Sequence, residues 1–412
     1  MTAAREPLTL LDVAILGQVA LGYSPFIDRN RTVAATRLSV FPLRPDATLD
    51  VAQLLHAVGD VWPASGGKVS LNVVSESLLH DLLQASPSAN LMVEVPNFMA
   101  SDPANVEALV RLHAAGNTLL LKGRPNAELP REVLPCFKYS IIDLADERRT
   151  GDSTHPPPGV TRAIAHVQSG VRTVADMEAS FARGAHAVLG WPIDDALSVT
   201  AARTGKPVAQ PDQQVIVELI RRVDNEDAIE KLENTLKRDP SLAFKLLRYI
   251  NSPAFGLRVE ISSFRHAIML LGYQRLKRWL ALLLASGSRD SNLKPVIYAA
   301  VRRGLVMEEL GRDSGCDDDK RSELFICGVF SLLDRLMQQP FDELLKSIPT
   351  SAAVSAALVH RNGPLMPYLT LVQAVEAASI YDIRAAADDL LMAVPAVNRA
   401  VLRALVAARQ LD

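Results

Sequence analysis

Cysteine is scarce in this sequence of 412 residues: Cys136, Cys316 and Cys327 stand far apart, with no C-x-x-C spacing. That excludes a disulfide framework and a cysteine zinc site, and makes a reducing compartment the simplest setting. Long apolar runs are missing too. The longest, "WLALLLASG" at 279–287, falls far short of the roughly 20 residues a spanning helix needs. The N-terminal stretch carries Glu6 and Asp12 and shows no clear small-residue cleavage site, which argues against a signal peptide. These features predict a soluble, cytoplasmic protein with no membrane partner. Neither sign of charge is in excess, because 44 Lys and Arg face 46 Asp and Glu, so nothing pulls the whole chain toward nucleic acid. There is no Walker-type phosphate loop, no G-x-S-x-G nucleophile elbow and no nucleic-acid fold signature. The one His-Asp dipeptide, His80-Asp81, sits on the helical stretch "SESLLHDLLQA" without partner histidines and reads as a helix-surface pair.

What the chain does have is two different patterns. From about residue 17 to 200, short β-like runs ("KVSLNVV", "LMVEVP", "NTLLLKG", "YSIIDL", "RAIAHV", "HAVLGW") alternate with helical ones, the signature of βα units and of a (β/α) barrel. "GDSTHPPPG" at 151–159 reads as an exposed loop within that series. "AARTGKPVAQPDQQ" then resembles a linker, and beyond it nearly every segment has helical period. The expected division is 1–203 for the barrel, 204–212 for the linker and 213–412 for an all-α domain.

In the second half, "DPSLAFKLLRYINSPAFG" (239–256) reads as one helix with its start and stop. Asp239 caps it, Pro240 fits its first position, and Leu242, Leu246, Tyr249 and Ile250 share a face. Together with "ISSFRHAIMLLGYQRLKRWLALLL" and "ELFICGVFSLLDRLM", it resembles the HDOD family, helical relatives of the HD-type phosphohydrolases. Metal-dependent hydrolysis needs clustered His and Asp ligands. Only His266 and His360 occur in this half, neither followed by Asp, so the resemblance implies the fold without the metal site. Arg248, Arg275, Lys277 and Arg278, with Arg258 and Arg265 nearby, form a basic cluster. It reads either as a solvated helix face or as a docking surface for an acidic protein or phosphate.

The first half resembles the EAL domain, a barrel that hydrolyses cyclic di-GMP and often precedes HDOD. "SPFIDRNRTVAATRLSV" matches its opening strand pair, "LNVV" its Asn strand, "LMVEVPN" its Glu strand and "AAGNTLLLKGR" its paired-Asp strand. "YSIIDL", "AIAHV" and "GAHAVLGWPI" match the strands that follow. The resemblance puts Thr36 where the family has its signature Glu, and Leu121 and Lys122 at its paired Asp. Ile141 falls at its catalytic Lys, His166 at its late Glu and Leu189 at its Gln. Asn72, Glu94 and Asp143 are retained. One Asn and two acids do not balance two dications, and Lys122 adds a positive charge among them. The retained residues also have plain structural readings: Asn72 bonded to a loop, Glu94 a solvated strand-end acid, Asp143 a turn cap. If Leu121 replaces a metal ligand, apolar side chains should partly fill the barrel mouth.

The expectation from these readings is a degenerate EAL barrel fused to an HDOD domain. It would be a bacterial regulator with no enzymatic activity and no cofactor, working through regulatory protein partners or a second copy of itself. The alternative is a sensor that binds cyclic di-GMP or another nucleotide without turnover, with Arg37 or Lys122 meeting phosphate directly. An active phosphodiesterase and a sequence-specific DNA-binding protein are the remaining classes.

Overall fold

The computed structural model describes residues 13–45, 47–123, 129–146, 164–195, 211–236, 242, 264–286, 290–348 and 350–409. Its contacts divide into two units: Met1–Asp195 with Thr370–Val406, and Ala196–Leu369 with Ala407–Asp412.

The first unit is a closed eight-stranded barrel in sequential order. β1 (Val19–Asp28) and β2 (Val33–Pro42) form an antiparallel hairpin. β3 (Lys68–Val73), β4 (Leu91–Pro96), β5 (Thr118–Lys122), β6 (Phe137–Asp143), β7 (Ala165–Ser169) and β8 (Ala187–Leu189) continue parallel to β2. β8 closes the ring antiparallel to β1. The helices α1 (Val51–Val61), α2 (Glu76–Gln84), α3 (Asn97–Ala100), α4 (Val106–Ala114) and α5 (Val174–Ala182) fill the connections. Their starts follow local chemistry. The Asp50 carboxylate accepts from the N–H groups of Ala52 and Gln53, Ser75 Oγ from Leu78 and Thr173 Oγ1 from Asp176, each satisfying a first-turn donor. The hairpin turns where Asp28 Oδ1 accepts from the N–H groups of Asn30 and Thr32. One buried cluster, Phe26, Ala35, Met92, Leu120, Tyr139, Ile141, Val167, Ala187 and Leu189, draws on seven strands and is the inside of the barrel.

The second unit is helical among its described residues: α6 (Pro211–Asp224), α7 (Ile229–Leu236), α8 (Phe264–Ser286), α9 (Lys294–Asp313), α10 (Asp318–Phe330), α11 (Leu333–Met337), α12 (Phe341–Ser347) and α13 (Ala352–Val359). α8 is two helices joined at Gly272, where φ is 70° and ψ 167°. α9 and α10 cross at Gly304 and Gly328, and a Cβ on Gly328 would lie 2.6 Å from the Gly304 backbone. Of the segment 239–256 only Leu242 is described. The expected helix, Arg248, Arg258 and most of the expected linker lie outside the described residues.

Three last helices, α14 (Met366–Ala377), α15 (Ile380–Asp389) and α16 (Val394–Arg409), run to the end of the described chain. From Thr370 to Val406 they group with the barrel, where the expected division kept the whole end of the chain in the helical domain. The reason is an open sheet edge. β8 pairs only with Phe26–Asp28, so the edge of β1 before Phe26 has no strand beside it. Asn398, fully buried on α16, takes the strand's place: its Oδ1 accepts from Leu21 N–H at 3.0 Å, and its Nδ2 donates to the carbonyls of Val19 (2.7 Å) and Leu16 (2.8 Å). Trp191 Nε1 donates to Tyr23 C=O at 3.1 Å and the Gly190 N–H to Pro25 C=O at 3.3 Å, extending the substitute along the edge.

No single helix among the described residues is long and apolar enough to cross a membrane. The bent pair Ile380–Asp389 and Val394–Ala408 passes that test jointly by length and composition, but Val397, Ala400, Val401 and Leu402 within it are buried in the protein.

Asn398→Leu should destabilise the protein by about 2–4 kcal/mol in urea unfolding, because it leaves buried backbone donors and acceptors unpaired. A loss under about 0.5 kcal/mol, typical of an unremarkable surface change, would show that the edge does not depend on it.

Candidate site at the barrel mouth

Side chains alternate along a strand, so the interior cluster fixes which residues of each strand face inward. Ala35 inward puts Arg37 and Ser39 inward, Met92 puts Glu94 inward, and Leu120 puts Lys122 inward. Ile141 likewise orients Asp143, and Val167 orients Ser169. Ser39, Glu94, Lys122, Asp143 and Ser169 lie in the C-terminal halves of their strands, the end at which (β/α) barrels carry their sites, and Arg37 reaches Glu94 from the middle of β2.

There they form two hydrogen-bonded sets, one around Glu94 and one around Asn72, with Asp143 and Ser169 as a separate pair. Arg37 forks onto Glu94, Nε donating to Oε1 at 2.7 Å and Nη2 to Oε2 at 2.6 Å. The Ser70 hydroxyl donates to the same Oε1 at 3.1 Å. The Glu94 side chain has no exposed surface and the Arg37 side chain keeps 17% of its own. Lys122 Nζ donates to Asn72 Oδ1 at 2.7 Å, and Asn72 Nδ2 donates to Ser39 Oγ at 3.0 Å. Burial opposes the Arg37 charge, but the charge and hydrogen bonds of Glu94, helped by Asp143, hold its pKa above the ordinary value. Lys122 goes the other way. Burial lowers its pKa, and the attraction of Glu94 is partly cancelled by repulsion from Arg37. Asp143 accepts from the Ala145 N–H at 2.9 Å and from Ser169 Oγ at 3.1 Å, and so caps the turn after β6.

The one-residue alternation corrects the sequence reading. Thr36, Leu121 and His166, placed at lost EAL site positions, lie on the outer face of the barrel; Lys122, Ile141 and Leu189 lie inside. His166 Nε2 meets Gln168 Oε1 at 3.2 Å on that outer face. Leu121 is buried there, so it does not fill the mouth. Glu94 is not a solvated strand-end acid, and Asn72 bonds to Ser39 on β2 and Lys122 on β5 and not to a loop. Arg37 as the partner of Glu94, and Ser39 and Ser70 beside it, were missed. The available signal was their i, i+2 spacing on β2 and β3.

Two divalent cations do not fit these side chains. Both Glu94 oxygens are held by Arg37, Asp143 is engaged in its turn, and Lys122 adds positive charge. Among the described residues no group of three or more His, Cys, Asp or Glu side chains is placed to hold a metal ion.

The basic cluster of the second unit is largely neutralised within that unit. Lys277 pairs with Asp224, Arg265 with Glu230 at 2.6 Å, and Arg278 forks onto Glu308 at 2.6 and 2.8 Å while lying over the Phe325 ring. Arg275 is exposed, as are His80 and Asp81 on α2.

Residues 210–375 match the HDOD domain, and this part of the chain is one. Two curated proteins are similar at 28% identity. One is the cyclic di-GMP phosphodiesterase CdgJ of Vibrio cholerae, over 169 residues covering 41% of this chain and 39% of that protein. The other is the uncharacterized protein YuxH of Bacillus subtilis, over 163 residues covering 39% of each chain. The matched stretch thus spans about two fifths of either relative's length. Among solved structures, the EAL enzyme Bd1971 bound to cAMP and cyclic di-GMP is similar with a TM-score of 0.33 and 13% identity, covering 42% of this chain and 61% of that one. The PaMucR phosphodiesterase in complex with c-di-GMP follows at 0.30 and 16%, covering 43% of this chain and 91% of that one. The expectation that this chain is not an enzyme is overturned by the Vibrio relative, which is named as a phosphodiesterase.

Glu94→Leu alone should cost about 3–5 kcal/mol in chemical unfolding, because it strands the Arg37 charge. Adding Arg37→Met should recover most of that loss. Equal instability of the single and double variants would show that the two side chains are not coupled.

Proposed function

We propose that this chain works in cyclic di-GMP signalling, and that the side-chain cations of its barrel mouth meet the nucleotide's phosphodiester groups. The interior hydrogen bonds carry the reading. Arg37 and Lys122 bring two cations to the ligand-bearing end of the barrel, held in place by Glu94 and Asn72. Lys122 spends one of its three donors on Asn72, and its remaining donors suit the charge-assisted bonds that phosphate oxygens accept. Phe98, 58% exposed just beyond β4, offers an aromatic face for a base. The nucleotide itself enters the reading through the name of the Vibrio relative. A cytoplasmic setting and regulatory protein partners to receive the signal belong to the same proposal.

Calorimetric titration of the full chain with cyclic di-GMP in chelator, then with manganese, followed by chromatography of the sample, tests this. Saturable heat in chelator, weakened at least about tenfold by Lys122→Met, the size of one charge-assisted contact, is the expected result. No heat under either condition, or heat in chelator that Lys122→Met leaves unchanged, would contradict it.

A further inference from the structure

Gly22 on β1 has another segment where its side chain would be. A Cβ built there would stand 2.7 Å from Ala378 Cβ, 2.8 Å from Ala378 Cα and 3.0 Å from the Val375 carbonyl oxygen. Those two residues mark the end of α14, where the Ala378 N–H bonds back to Val375 C=O at 3.1 Å and the backbone turns into the left-handed region at φ 52°. The face of β1 on which this happens follows from the ladder. Gly22 lies directly opposite Ser39, and the register is unbroken from Val19 to Phe26. Phe26 belongs to the interior cluster, so Gly22, four residues away on the same strand, also faces inward. Ser39 accepts from Asn72, which in turn holds Lys122. The end of α14 therefore reaches the inner mouth of the barrel one cross-strand neighbour away from the bond between Asn72 and Lys122.

The seat is well built. Leu371, Val372 and Val375 on α14 are fully buried, and the Asn398 bonds to the β1 edge hold α16 against the same strand. Val375 is also the last residue of the HDOD match, so the final turn of that domain and the contact on Gly22 are one helical end. A helix moves as a rigid rod along its axis, so a shift at its start at Met366 would be felt at Val375.

We propose that the barrel mouth holds the chain's own segment Val375–Ala378 as an intramolecular ligand, and that this segment controls the access of anions to Lys122 and Arg37. The proposal rests on the reading of the mouth as an anion site, but the seat itself is measurable without any nucleotide. An anion approaching Lys122 past Asn72 and Ser39 shares the inner mouth with the helix end, so seating and ligand access oppose each other. The HDOD domain would thus set the affinity of the barrel by how firmly its last helix is seated.

The experiment uses the full chain and two variants that crowd the seat from opposite sides, Gly22→Leu and Ala378→Leu. Amide hydrogen exchange follows residues 375–378, and amine acylation with peptide mass mapping follows Lys122. In either variant, exchange of the segment should rise at least about tenfold and Lys122 should be acylated several-fold faster, while the amides of β3 to β6 keep their protection. The retained strand protection separates unseating from unfolding, and the second variant covers the case in which the first does not fold. Unchanged exchange in a folded variant would overturn the seat. Faster exchange with unchanged Lys122 acylation would overturn the control of access. Cyclic di-GMP titrated into the same proteins should bind the variants at least about fivefold more tightly than the parent chain, roughly 1 kcal/mol of differential binding. Equal affinity would overturn the gating of that ligand. Absence of binding to every protein would remove the nucleotide reading, while the acylation rates still decide whether the segment governs access.

Discussion

A carboxylate with no exposed surface has to be neutralised where it lies, and the interior of this barrel is arranged around that requirement. Glu94 sits on the inner face of β4, and Arg37 reaches it from β2 with the two parallel bonds that suit a guanidinium and a carboxylate. That fork and the Ser70 bond take three of the roughly four acceptor sites of the carboxylate. The remaining polar side chains arrange themselves in sequence: Ser70 on the carboxylate, Lys122 on Asn72, Asn72 on Ser39. Below this layer the barrel is apolar, so these bonds mark the boundary between a packed core and the mouth. Removing one charge would leave the other stranded, which makes the pair a constraint even where its net contribution to stability is small.

The antiparallel opening of the barrel sets the second constraint. β1 runs antiparallel to both of its neighbours and pairs along nearly all its length with β2, but the short β8 leaves the first part of β1 open. The chain closes that edge with the indole of Trp191, the Gly190 N–H and, from the far end of the sequence, the amide of Asn398. The same return brings the end of α14 against Gly22. Residues Thr370–Val406 therefore group with the barrel, and the HDOD match ends inside that unit.

Much of the fold was legible because two periodicities were. Six runs read as β-like became β3 to β8, and the helical stretches after residue 211 became helices wherever they are described. The site was legible in composition but not in orientation. Asn72, Glu94, Asp143 and Lys122 do meet the barrel interior, whereas Thr36, Leu121 and His166 turn outward; a family resemblance carried by short strand motifs does not fix which parity of a strand faces in. That a single step separates Thr36 from Arg37 explains why the ion pair was missed. Asn398 was illegible for another reason: within "PAVNRAVLRALVAARQ" it looks like an ordinary polar position of an amphipathic helix, and its partner Leu21 is 377 residues away. The basic cluster around Arg278 shows the converse, since acids distant in sequence, such as Asp224 and Glu308, pair with cations that looked available.

Manganese(II) EPR on the full chain tests the central claim, that an Arg37–Glu94 pair stands where a metal pair would have to. The account predicts that titrated manganese gives no bound-ion signal that depends on Glu94, so that the spectra of the parent chain and Glu94→Gln are the same. A bound-manganese signal in the parent chain that disappears in Glu94→Gln would mean that the carboxylate leaves Arg37 for a cation, and the account of the mouth would be wrong.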